Sequence, residues 1–351
     1  MKKIYLDRPM KYFLLLSLNC SLFSFIHCSD DDSDKTATKD EGSDKTSADF
    51  TNTNADTIIH DGLIREYVLY VPEAYDRSSA VPLMLNFHGN GGSASGHLSY
   101  TDMTAVADLE NFILVYPQGS LLEGTSHWNN ALVTSTNKSS AKDFEFTNAL
   151  INKLTVNYNI DSSRIYACGF SNGADFAFAL ACYNSDKIAA IGAVSGLMYQ
   201  ETIDNCDPLH PTAIIEFHGT SDFIRPYDGI SEYYASVEDM LNHWTSFNHT
   251  SKDPLTNSIT DNGTLIEYYA YHDGDSGTSV EHYKVVEGDH AWFSCTTRRS
   301  EERRVVHEKR SCTTRRSEER RVVHEHPSCT TRRSEERRVG KECRSRWSPY
   351  H

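Results

Sequence analysis

The run Val81-Pro82-Leu83-Met84-Leu85-Asn86-Phe87, apolar on both faces and cut off by His88-Gly89, constrains this chain most. A strand with one wet side alternates polar and apolar residues. One that is apolar throughout has to be covered on both faces, as inside a parallel sheet. Similar short runs recur at 112–116, closed by Pro117, and at 164–168, 188–194 and 213–217. Helical spacing separates them: Met103, Val106, Ala107 and Leu109; then Phe146, Ala149, Leu150, Leu154 and Val156; then 172–183 and 237–247. A strand over 63–71 opens the series, and a pair at 267–271 and 282–286 closes it. This alternation predicts an α/β fold, a mostly parallel sheet with helices on both faces.

The pattern occupies residues 58–293 of 351, and the ends read differently. Hydrophobic residues make up 38% of the chain, a low share that points to unpacked segments. From Ser294 onward there are 17 basic and 9 acidic residues, leaving 17 basic against 40 acidic for the rest. A body that acidic repels phosphate backbones, which argues against a nucleic-acid partner. Within 294–351 a block beginning Ser-Cys-Thr-Thr-Arg-Arg-Ser-Glu-Glu recurs from Ser294, Ser311 and Ser328, with almost no apolar position to share between units. The last stretch, 333–351, resembles the conceptual translation of a sequencing adapter, so 294–351 is expected to be a disordered read-through artefact.

At the other end Lys2, Lys3, Arg8 and Lys11 precede an apolar stretch over 12–26, then Cys28 and an acidic run. This resembles a bacterial lipoprotein signal, with Phe25 and His27 departing from the usual residues. It implies a signal over 1–28 with lipidation at Cys28, and membrane attachment only through that anchor. Residues 29–57, rich in Asp, Ser, Thr and Lys, read as an acidic disordered tether. The expected location is the cell surface or outer membrane, or else secretion. In an exported protein Cys182 and Cys206 are candidates for a disulfide, whereas Cys168 reads as a small buried residue.

Chemistry concentrates where strands end. Gly169-Phe170-Ser171-Asn172-Gly173 lies between a strand and a helix, the context that makes G-x-S-x-G a nucleophile elbow with Ser171 exposed at its tip. The loop His88-Gly89-Asn90-Gly91-Gly92-Ser93 can turn the Asn90 N–H toward a reacting carbonyl, with the Asn172 N–H as second oxyanion donor. A serine nucleophile needs a base and an orienting acid, which follow it in this fold class. Asp222, in His218-Gly219-Thr220-Ser221-Asp222, is favoured as the acid over Asp228, and Glu216 is expected to point into the sheet. His290, in Gly288-Asp289-His290-Ala291-Trp292, is the candidate base. Trp128 and Trp292 are candidate walls for an apolar or phenolic acyl group.

Together these four segments, with Tyr116-Pro117-Gln118-Gly119 and Pro226-Tyr227, resemble the secreted polyhydroxybutyrate depolymerase and feruloyl esterase group of α/β-hydrolases. The resemblance spans nearly all of 58–293. It implies an extracellular serine esterase without a large lid or cofactor, monomeric, acting on an ester-bearing polymer or oligomer. It also implies a closing helix after the His-x-Trp segment, where this chain begins its repeats, and hence lower stability than an intact relative. A binding-only surface lipoprotein and a serine peptidase on the same fold are the competing readings.

Overall fold

The computed structural model describes residues 52–131 and 138–293, all within one unit of the chain, 1–296. Twelve strands are present among the described residues: β1 (Thr53–His60), β2 (Leu63–Tyr70), β3 (Val81–Phe87), β4 (Ile113–Pro117), β5 (Ser120–Leu122), β6 (Thr125–His127), β7 (Ile160–Phe170), β8 (Ala190–Val194), β9 (Ala213–Gly219), β10 (Leu255–Asp261), β11 (Thr264–Tyr271) and β12 (Val280–Val285). The helices are α1 (Ala94–Thr101), α2 (Thr104–Glu110), α3 (Asp143–Asn157), α4 (Asn172–Tyr183), α5 (Gln200–Asp204) and α6 (Val237–Phe247).

Ten strands form one sheet in the order β1-β2-β4-β3-β7-β8-β9-β12-β11-β10, with β5 and β6 as a separate hairpin. The six central strands, β4 through β12, run parallel, and antiparallel pairs flank them on each side. Burial follows the apolar runs: β3, β4, β8 and β9 are buried along their whole length. Successive side chains then feed opposite cores. Leu83, Leu85 and Phe87 join α3, α4 and α6 on one face; Met84 joins α1 and α2 on the other.

Two boundaries differ from the sequence expectation. Strand β1 begins at Thr53, so 53–57 belong to the sheet and not to the tether. Its polar residues resemble a linker because an edge strand exposes most of its side chains, and its pairing comes from β2, Thr53 opposite Tyr70. Helix α1 follows the glycine-rich loop 88–93, in a stretch for which no helix was expected; Ser93 caps it, its Oγ accepting from the Gly96 N–H at 3.1 Å. The signal with Cys28, most of the tether and the repeats lie outside the described residues. No helix among the described residues is long and apolar enough to cross a membrane.

Cys182 at the end of α4 and Cys206 in the loop before β9 form a disulfide, Cα–Cα 4.8 Å across 24 residues. Closing a loop of that length restricts the unfolded chain. Replacing both cysteines by Ser is expected to lower unfolding stability by about 3 kcal/mol, read as a lower denaturant midpoint. An unchanged midpoint would contradict it.

Candidate active site

Asn90, Ser171, Asp222 and His290 each follow the carboxyl end of a parallel strand, where an open α/β sheet presents its crevice. Strand β7 delivers Ser171 in a turn with φ 54° and ψ −122°, a conformation rare for a residue with a Cβ. The turn is held by its neighbours. The Ser171 N–H donates to the Val194 carbonyl at 3.0 Å, and the Ser171 carbonyl accepts from the Ala174 and Asp175 N–H groups at 2.9 Å each. The flanking glycines are required by close approach. A Cβ on Gly173 would lie 2.1 Å from the Phe87 carbonyl oxygen, and one on Gly169 would lie 2.4 Å from the Gly173 carbonyl.

The loop after β3 lies against this elbow, since a Cβ on Gly89 would sit 3.3 Å from that of Ser171. Its shape is set by His88. The ring Nδ1 donates to the Gly89 carbonyl at 2.7 Å, and Nε2 accepts from the Gly119 N–H at 2.9 Å. Burial holds this imidazole below its ordinary pKa, which suits the neutral tautomer these bonds need. Gly91 N–H donates to the Ser126 carbonyl at 2.7 Å, so the β5–β6 hairpin braces the loop. Asn90 is exposed at the loop's tip, and Asn172 is the first residue of α4, whose opening N–H groups have no partner within the helix.

Asp222 and His290 meet. The His290 Nδ1 lies 2.7 Å from Asp222 Oδ2, while Asp222 Oδ1 accepts from the Ile224 and Arg225 N–H groups at 2.9 and 2.8 Å. Burial opposes ionisation of Asp222. The bonds from His290 and Arg225, with the imidazoles of His290 and His218, outweigh it and hold the carboxyl below its usual range. With Nδ1–H committed to Asp222, the His290 Nε2 is left as an acceptor. The imidazole packs on Phe170, the residue before Ser171, with ring centroids 5.0 Å apart. The two loops are laced together: Ser221 N–H to the Gly288 carbonyl at 2.9 Å, Glu287 N–H to Thr220 Oγ1 at 2.8 Å, and Ser195 Oγ to the Ala291 carbonyl at 3.0 Å. Asp228 is exposed.

The sequence pattern of the phospholipase/carboxylesterase family matches residues 74–255, just over half of the chain. The chain belongs to that family. Curated relatives of this phospholipase/carboxylesterase family member include feruloyl esterase B of Piromyces equi, 26% identical over 213 residues, covering 58% of this chain and 39% of that protein. The bifunctional acetylxylan esterase/xylanase XynS20E of Neocallimastix patriciarum is 29% identical over 180 residues, covering 51% and 25%. The chain spans about half or less of the length of the curated relatives it first matches, 52%, 39% and 25%. Among solved structures, the acetyl xylan esterase of Aspergillus awamori has the same fold, with a TM-score of 0.53 at 14% identity, covering 71% of this chain and 98% of that one.

Of the two candidate aromatic walls, Trp128 is corrected. It is 1% exposed, stacks on Phe176 with centroids 5.3 Å apart, and donates its indole N–H to the His88 carbonyl at 2.9 Å. Its backbone is clamped by the Asn172 amide, 2.7 Å and 3.1 Å for the two bonds. Trp128 therefore ties the β3 loop to the elbow from inside the core and offers substrate no face. Trp292 remains at the surface of the second core, its ring edge-on to His97 and its backbone N–H donating to the Tyr100 hydroxyl at 3.0 Å.

Sequence reasoning missed Asp175 and Arg225. Buried Asp175 on α4 accepts from the Leu197 N–H at 2.8 Å and from Arg225 Nη2 at 2.8 Å. Since the Arg225 N–H also holds Asp222, this ion pair couples the elbow helix to the acid loop. An Asp four residues past the elbow serine and an Arg three past the acid were the available signals, and neither spacing reveals the contact.

Proposed function

We propose that this carboxylesterase-family chain is an exported serine ester hydrolase in which Ser171 is the nucleophile, His290 the base and Asp222 its orienting acid. The observation that carries the reading is the 2.7 Å Asp222–His290 bond beside Phe170, with Ser171 next along the chain in a strained turn. His290 Nε2 takes the Ser171 hydroxyl proton as Oγ bonds to the ester carbonyl carbon. The resulting oxyanion is received by the Asn90 and Asn172 N–H groups, adjoining the positive end of α4. The bond to the alkoxy oxygen then breaks as His290 returns the proton to the leaving alcohol. Water repeats the sequence on the acyl-enzyme and frees the acid.

The substrate class we propose is an ester on a plant polysaccharide, such as a feruloyl or acetyl group. The names of the relatives support it, and so does an apolar rim for the acyl group. Tyr100 and Phe223 are 51% and 77% exposed, and Trp292 lies between Tyr100 and His97. Polyhydroxybutyrate is the other candidate polymer. A fluorophosphonate probe should add its mass to the peptide carrying Ser171, and a panel of p-nitrophenyl esters, methyl ferulate, acetylated xylan and polyhydroxybutyrate should rank the feruloyl and acetyl esters first. No adduct and no turnover across the panel would favour the binding-only reading. Turnover of peptides alone would favour a peptidase.

A further inference from the structure

Behind Asp222 lies a string of ionisable side chains that the proposed reaction does not use. Glu216 and His218 alternate on β9 and so share one face of the strand, and His282 is the register partner of Glu216 on β12. All three are buried. His218 Nδ1 lies 2.9 Å from Glu216 Oε1, and its Nε2 lies 2.7 Å from the Arg225 carbonyl oxygen and 3.6 Å from Asp222 Oδ2. The second Glu216 oxygen is bonded to His282 Nδ1, and His282 Nε2 lies 2.8 Å from the Tyr227 hydroxyl.

These contacts specify protons. A carbonyl oxygen only accepts, so His218 Nε2 carries a hydrogen. The bond from Nδ1 to Glu216 holds one more proton, which lies either on the ring or on the carboxyl. An imidazole is the stronger base, ordinarily near 6.5 against about 4.3 for Glu, and the Asp222 carboxylate beside Nε2 biases the proton further toward the ring. Burial alone would discharge both groups. The mutual bond and charges outweigh it, raising His218 and lowering Glu216 from their ordinary values.

We propose that His218 is a buried imidazolium, clamped between Glu216 and the Arg225 carbonyl, and that it acts as a positioning residue which holds Asp222 from behind and limits the basicity of His290. A carboxylate alone favours a proton on the imidazole it bonds. A cation 3.6 Å from the same carboxylate offsets part of that pull. The effect on His290 rests on the reading of Asp222 and His290 as acid and base; the charge on His218 does not.

Other charges near the string are accounted for. The Tyr227 ring lies edge-on to His218, centroids 5.9 Å apart, and Glu238 of α6 acts on Tyr227. Lys284, opposite His218 on β12, turns to Glu267 at 3.3 Å and to the Tyr227 ring. The Arg225 guanidinium is taken by Asp175. His290 faces Asp222 and the Phe170 ring. None of these groups is substituted in the variants below; Glu216→Gln also removes the partner of His282, so His282→Gln, which should keep the doubly protonated ring, assigns that ring to His218.

The test has two arms. In the wild-type protein with its 16 histidines labelled with 15N, at about pH 8 where an ordinary imidazole is neutral, one ring should keep both nitrogens protonated. It should vanish in the double variant Glu216→Gln/His218→Gln, which removes both charges and leaves no orphan ion. Neutral rings throughout, or a doubly protonated ring that survives the double variant, would overturn the proposal. This arm needs no activity, so it stands apart from the reading of the reaction. In the second arm, the acid limb of the kcat/KM profile of His218→Gln and of the double variant should move up by about one pH unit, roughly a tenfold loss on the acid side. A limb that stays in place in a folded variant would remove the role toward His290.

Discussion

Ser171→Ala is expected to lower kcat for ester hydrolysis by about 10⁴- to 10⁶-fold while leaving the fold intact. The size follows from what is removed. Without Oγ no acyl-enzyme forms, and the remaining N–H donors and bound water provide only a residual rate. The fold survives because Ala meets the same backbone geometry, φ 54°, that Ser already tolerates, and because the bonds fixing the turn belong to the main chain. The thermal melt should shift little, within about 1 kcal/mol of wild type. Hydrolysis within tenfold of wild type, measured on purified protein freed of host esterases, would exclude Ser171 as the nucleophile.

Asp222→Asn should be nearly as severe, about a 10⁴-fold fall in kcat at neutral pH. The mechanism is a tautomer error forced by the loop. Asp222 Oδ1 is held by two backbone donors, the Ile224 and Arg225 N–H groups at 2.9 and 2.8 Å. The amide oxygen of an Asn must stay on those donors, so its NH₂ faces His290 Nδ1. That nitrogen would then have to accept, which moves the ring proton to Nε2 and removes the base. Asp228→Asn, an exposed change in the same loop, is the control and should stay near wild type. Equal losses in the two variants, or none in Asp222→Asn, would overturn the assignment of the acid.

Much of this site was legible because the relevant physics is local. The apolar runs at β3, β4, β8 and β9 could only be strands covered on both sides, and G-x-S-x-G between a strand and a helix carries its own steric requirement. Strands β1 and β10 were not legible for the opposite reason. Their residues are mostly exposed and polar, and they are strands because β2 and β11 offer them partners. Trp128 shows a third kind of limit. A Trp in a polar stretch suggests a surface platform, yet its indole N–H finds the His88 carbonyl only after two loops distant in sequence are brought together.

The amino-acid order by itself determined the α/β layering, the elbow at Ser171 and the succession of Ser171, Asp222 and His290, because each depends on periodicity, on glycines or on the sequence of strand ends. Only the tertiary structure decided which carboxylate meets which imidazole. Register between β9 and β12 sets Glu216 beside His282, and loop-to-loop bonds bring Asp222 to His290 across 68 residues. Such pairings are made by hydrogen bonds between distant segments, and their short range gives them no periodicity along the chain.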